Sequence, residues 1–108
     1  MAHTQRAIEV ISRARVLLET RDWCQGALAR NRFMGQTEPR KASVAYLDIM
    51  GALQLASHET TNDWVGAYNE AFIAVDNVCR MKHGVELCGF NDFVATCKQD
   101  VLNLLSGV

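Results

Sequence analysis

Apolar positions recur along most of this chain at intervals of three and four, the spacing of a helix that buries one face. Ala7, Ile8, Ile11, Ala14, Leu17 and Leu18 form the first such stripe. They predict a helix from about Gln5 to Arg21, with Thr4 as its N-cap. Asp22 then reads as the cap of a short helix that turns Trp23, Ala27 and Leu28 inward, and Gly26 gives the chain room to bend. The segment NRFMGQTEP (31–39) reads as a loop with Gly35 as its turn residue. A second long helix is expected to open at Pro39, because proline's missing N–H needs no partner in the first turn. Its face is Ala42, Ala45, Tyr46, Ile49, Met50, Ala52, Leu53 and Ala56, and it frays near Ser57 or His58. Gly51 costs this helix about 1 kcal/mol relative to Ala, so it implies a close approach by another helix.

After the loop ETTN (59–62), Thr61 or Asn62 is expected to cap a third helix. Trp64, Ala67, Tyr68, Ala71, Phe72, Val75, Val78 and Cys79 follow the helical period closely, and Gly84 closes the element after His83. The stretch VELCGFNDFVA (85–95) is apolar and irregular. Within it, GVELCGF is the one plausible strand, and a lone strand has nothing in the chain to pair with. TCKQ (96–99) reads as a capping box, with Thr96 as the cap and Gln99 reaching back, and it opens a last helix that runs to Ser106. The expected fold is all-α: one domain over residues 1–108, a compact bundle of four main helices plus one short helix or turn.

Composition agrees with a folded soluble domain, at 49% apolar and 21% charged residues with a single proline. No apolar run is long enough to span a bilayer. The start MAHTQRAIEV carries charge where a signal peptide needs apolar residues. The expected location is the cytoplasm, and the four cysteines (Cys24, Cys79, Cys88, Cys97) are expected as free thiols. Net charge is −1, but residues 1–41 hold four more basic than acidic groups and the remainder five more acidic than basic. Such asymmetry either steers a partner or lets the two halves face each other.

Candidate chemistry is sparse. Cys79, His83, Cys88 and Cys97 fall in one region, but without the paired close spacing that zinc sites use, so no metal and no cofactor is expected. Cys24 stands between Trp23 and Gln25 near Arg21, where a basic neighbour would favour thiolate. Asn91 and Asp92, between Phe90 and Phe93, either fix a turn or present an amide and a carboxylate to a ligand. Arg30, Arg32, Arg40 and Lys41 are the arginine-rich segment that would meet phosphates. Overall acidity and the lack of a reading motif disfavour nucleic acid.

Four stretches occur together in order: DWCQGALAR (22–30), MGALQLA (50–56), GFND (89–92) and TCKQDVLNLL (96–105). Taken together they resemble a small uncharacterised family of bacterial and phage proteins. That family carries Gly-Trp-Cys-Gln-Gly-Ala after a first helix, Gly-Ala-Leu in a central helix, and Trp-Asn-Asp before a threonine-capped last helix. The likeness runs from about Ala7 to Leu105, with Asp22 in place of the glycine and Phe90 in place of the second tryptophan. The resemblance assigns no activity. It implies a bacterial or phage-infected bacterial cell, and that Asn91 or Asp92 bonds to the backbone around Trp23–Gly26.

Three functional expectations follow. The first is a non-enzymatic protein-interaction module, in a phage-type context a modulator or inhibitor of a host defence complex. Its anchors would be Trp23, Arg30, Arg32, Phe33 and Arg40, since Trp and Arg dominate interface energetics. Its partner would be another protein or a second copy of the chain. The second is a small-ligand or enzymatic site built on Cys24, Gln25, Asn91 and Asp92. The third is a nucleic-acid binder using Arg30, Arg32, Arg40 and Lys41.

Overall fold

The computed structural model describes residues 4–108 and shows an α+β fold. The all-α expectation, and the helical bundle with it, is overturned by a four-stranded mixed sheet built between the first and second helices. In chain order the elements are α1 (Gln5–Thr20), β1 (Asp22–Trp23), β2 (Ala29–Asn31), β3 (Gln36–Thr37), β4 (Val44–Leu47), α2 (Ile49–Thr60), α3 (Trp64–His83), α4 (Leu87–Gly89), a π-helical turn (Phe90–Val94) and α5 (Lys98–Ser106).

The sheet order is β1-β4-β2-β3. β1 runs parallel to β4, pairing Trp23 with Leu47. β2 lies antiparallel to both β3 and β4, and Ala29 sits between Thr37 and Leu47. The strands are only two to four residues long. Such strands are too short for a period-two pattern to emerge, and their partners are remote in sequence. Ala29 and Leu47 are fully buried and join the same core as the helices. One face of the sheet therefore closes over the helical layer. That layer contributes Val10, Leu17, Leu18, Leu53, Val75 and Val101, all at or near zero exposure.

Two expected helices change type. The predicted short helix at 22–28 is strand β1 followed by a turn, and the loop expected at 31–39 is largely the β2–β3 hairpin. Its positive-φ residue is Met34 (φ 67°) rather than Gly35. The helix expected from Pro39 begins ten residues later, at Ile49. Val44 and Tyr46 favour extended backbone, and Asp48 is the true cap, its Oδ1 accepting the Gly51 N–H at 2.6 Å. GVELCGF, the one plausible strand in the sequence, forms α4 and leads into the π turn.

Thr4 caps α1 through the Ala7 N–H, and Gly84 closes α3 in the left-handed region. Asp63, not Thr61 or Asn62, caps α3 through Gly66. The capping box at 96–99 does not form. Thr96 bonds instead to the Asp100 carboxylate, and Gln99 donates to Asn103. Part of the N-terminal basic excess is spent inside the chain, Arg6 on Asp63 and Glu70 and Arg13 on Glu59. These exposed pairs orient α1 against α2 and α3 more than they stabilise.

Gly51 has an approach partner, but it is not a helix. A Cβ there would collide with the Leu28 carbonyl oxygen, which already accepts the Asp48 N–H at 3.1 Å. Gly51→Ala is therefore expected to destabilise the fold by about 3 kcal/mol, despite alanine's better helix propensity. Urea denaturation measures it, and an unchanged or raised midpoint would refute this close approach.

Candidate functional site

The π turn brings Asn91 and Asp92 against the turn that follows β1. Ala95 N–H reaches the Phe90 carbonyl at 2.8 Å, the wider hydrogen bond that sets this segment apart from an α-helix. Asn91 is completely buried. Its Oδ1 accepts the Trp23 indole N–H at 2.8 Å and the Ile49 N–H at 3.1 Å. Its Nδ2 donates to the Cys24 carbonyl at 3.2 Å and to Asp92 Oδ1 at 2.9 Å. A carboxamide offers two acceptor and two donor positions, so this one is fully used.

The partners complete a clasp. Asp92 Oδ1 also accepts the Gly26 N–H at 3.0 Å. Gly26 holds φ +77°, a conformation that glycine adopts at little cost. Gln25 donates its amide to the Asn91 and Ala95 carbonyls at 3.0 and 3.1 Å. Cys24, Gln25, Asn91 and Asp92 thus come together as the sequence placed them, by side-chain bonds running in both directions. The amides of Asn91 and Gln25 and one oxygen of Asp92 are engaged by protein partners.

Electrostatics of the clasp oppose nucleophilic chemistry. Cys24 is buried, and its Sγ contacts the Ala27 carbonyl at 3.5 Å. Burial pushes its thiol up to about 11, the Asp48 and Asp92 carboxylates push the same way, and Arg30 only partly offsets them. At neutral pH it is a thiol, not the thiolate that a nucleophile requires. The sequence did not single out Asp48, which lay inside the expected second helix. Asp48 is 3% exposed. Burial raises its carboxyl to about 7, against the lowering effect of its bond to Gly51, and Asp92 raises it further. The available signal was an Asp standing just before the apolar run Ile49–Met50, a cap position.

The expected interface residues divide. Trp23 is half-buried with its indole N–H committed to Asn91, so it is not a free anchor. Arg30 is also committed, to the Met34 and Gln25 carbonyls. Arg32 and Phe33 are exposed at the tip of the β2–β3 hairpin, with the guanidinium 4.8 Å from the Phe33 ring centre. Phe33 is 77% exposed, and Met34 beside it is 50% exposed. Arg40 is exposed and lines a different recess, with His58 and Trp64. Cys79 is buried, while Cys88 and Cys97 are exposed. Among the described residues no three His, Cys, Asp or Glu side chains converge for a metal, and no helix is long and apolar enough to cross a membrane.

Residues 2–108 match the profile of a family described as "Family of unknown function (DUF6197)". The chain belongs to this family. The family's description assigns no activity, no inhibitory role and no phage origin. No curated protein and no solved structure matches the chain.

Two measurements test this site. A thiol reagent at neutral pH should label Cys88 and Cys97 quickly, and Cys24 and Cys79 only on unfolding. Fast labelling of Cys24 in the folded protein would revive a nucleophilic role. The second concerns Asp48, whose carboxyl titrates near 3.8 in the unfolded chain and near 7 in the fold. Between those values the fold holds the extra proton, so this group's stabilisation is present at low pH and is lost as pH rises toward neutrality. Asp48→Asn keeps a good cap and removes the ionisation. Its Tm should therefore fall less than the wild type's between about pH 5 and about pH 8. Parallel Tm profiles for the two proteins would rule out a raised Asp48.

Proposed function

We propose that this family member is a non-enzymatic interaction domain that presents the tip of the β2–β3 hairpin to another protein. The observation that carries this reading is the exposed Arg32–Phe33–Met34 tip on a short hairpin pinned to the sheet. Large apolar side chains are seldom left this exposed beside one another without use. The clasp that would serve an enzyme is directed inward, with a protonated thiol and a saturated carboxamide.

The tip also states what its partner offers. At the tip Arg32 is exposed with its guanidinium over the Phe33 ring and its charge in solvent. An apolar cleft with an acidic rim complements this pattern, taking Phe33 in the cleft and Arg32 at the rim. A second copy of this chain has acidic surface in residues 42–108, so self-association belongs in the test.

Affinity capture from a lysate of the source organism, with sedimentation of the purified protein, separates the cases. Arg32→Ala/Phe33→Ala should weaken capture of the partner, or self-association, by at least about tenfold. Met81→Ala, at an exposed position on α3, should leave it unchanged. Equal binding by all three proteins would refute the hairpin as the interface.

A further inference from the structure

A second recess opens at the base of the same hairpin, between the β3 end of the sheet and the facing ends of α2 and α3. It measures about 370 Å³. Its apolar walls are Leu28 and Pro39. One side is an aromatic pair, the His58 and Trp64 rings, with centroids 4.1 Å apart and planes inclined by 31°. Thr37, Glu38, Arg40 and Gln54 complete the lining.

The polar groups here differ from those of the clasp. Among the described residues Arg40 makes no ion pair, although Glu38 lines the same recess. Among the described residues the Gln54 amide, the His58 imidazole and the Trp64 indole N–H make no side-chain hydrogen bond to protein. A stacked aromatic wall, apolar sides and a few uncommitted polar groups are the usual make-up of a small-molecule site.

We propose that this recess binds a small planar anion, with its ring against the Trp64–His58 pair and its carboxylate or phosphate on Arg40. Planarity follows from the aromatic wall, since flat rings stack on such a surface in offset or tilted geometry. The negative group follows from Arg40, whose planar fork suits both carboxylate and phosphate. Gln54 supplies a donor and an acceptor for the polar edge of the ring. His58 sits below its ordinary range, through burial and then the nearby Arg40, so it stacks as a neutral ring near pH 7. Arg40 is exposed, so solvent and salt screen its charge. An inorganic anion without a ring therefore gains little here, and tight binding needs stacking and charge together. This site is separate from the hairpin tip, and neither reading depends on the other.

The test follows the two indole N–H resonances by NMR during titration. The probes are indole-3-carboxylate, adenosine 5′-monophosphate, neutral indole and inorganic phosphate. At least one ring-bearing anion should shift the Trp64 indole and the Gln54 amide saturably, with a Kd of about 1 mM or tighter. The Trp23 indole, held by Asn91, should stay in place. The tighter of the two anions tells an organic acid from a nucleotide. Arg40→Gln, an exposed loop substitution that leaves the core untouched, should weaken the anion by about tenfold and leave indole unaffected. Three outcomes would each overturn the proposal: no saturable shift with either anion, equal binding of indole and the anions, or anion binding unchanged in Arg40→Gln.

Discussion

The buried carboxamide of Asn91 is the constraint on which the rest of the structure depends. It joins three segments that sequence alone keeps far apart: its own π turn, β1 and the turn after it through the Trp23 indole N–H and the Cys24 carbonyl, and the start of α2 through the Ile49 N–H. A buried polar group is tolerated only when its bonds are made. Here all four are made, so the geometry of the three segments is fixed together. Replacing one bond would not release one contact. It would strand donors and acceptors on several elements at once, which costs more than the bond itself contributed.

This constraint explains why the beginning of α2 is so crowded. The Ile49 N–H is drawn to Asn91, the Gly51 N–H to Asp48, and the Asp48 N–H to the Leu28 carbonyl. Four consecutive residues, Asp48 to Gly51, thus lie under both the clasp and the strand connection. Only a residue without a side chain fits at 51. An acidic cap at 48 is held in a site dry enough to raise its carboxyl to about 7. The favourable helix-end field acts on that carboxylate, but burial outweighs it. Local strain in charge is accepted because it closes the junction between sheet and helices.

Helices with a full apolar stripe were legible. The spans of α1 and α3 follow directly from Ala7–Leu18 and Trp64–Cys79, because a repeated period over several turns leaves little else to build. The sheet was not legible. β1 and β3 have two residues each, and β4 pairs with a strand more than twenty positions away. No local period encodes such pairing. Ala42, Ala45 and Tyr46 also fit the helical stripe of α2, so the periodicity runs through the Asp48 cap that stops it. The clasp was legible in part: the ordered motifs placed Asn91 and Asp92 with Trp23–Gly26. What they did not reveal was the direction of its polar groups, which point inward to protein. Arg40 was grouped with Arg32 by sequence proximity, yet the turn after β3 carries it toward His58 and Trp64.

The contrast between spent and unspent polar groups separates architecture from function in this protein. In the clasp every donor of Asn91 and Gln25 reaches a protein acceptor, so a ligand could take those donors only by breaking bonds of the fold. On the segment from Leu28 to Lys41 the opposite holds. Arg32 lies on a phenylalanine ring with its charge in solvent, and Arg40 faces a recess without an ion pair among the described residues. A rigid clasp beneath this segment fixes where it stands, since Arg30 ties it to the Gln25 carbonyl and Ala29 anchors it between Leu47 and Thr37. Preorganised exposed groups lose less freedom on binding than mobile ones. The residues that look catalytic in the sequence therefore build the platform, and the loop beside them is the part we propose for recognition.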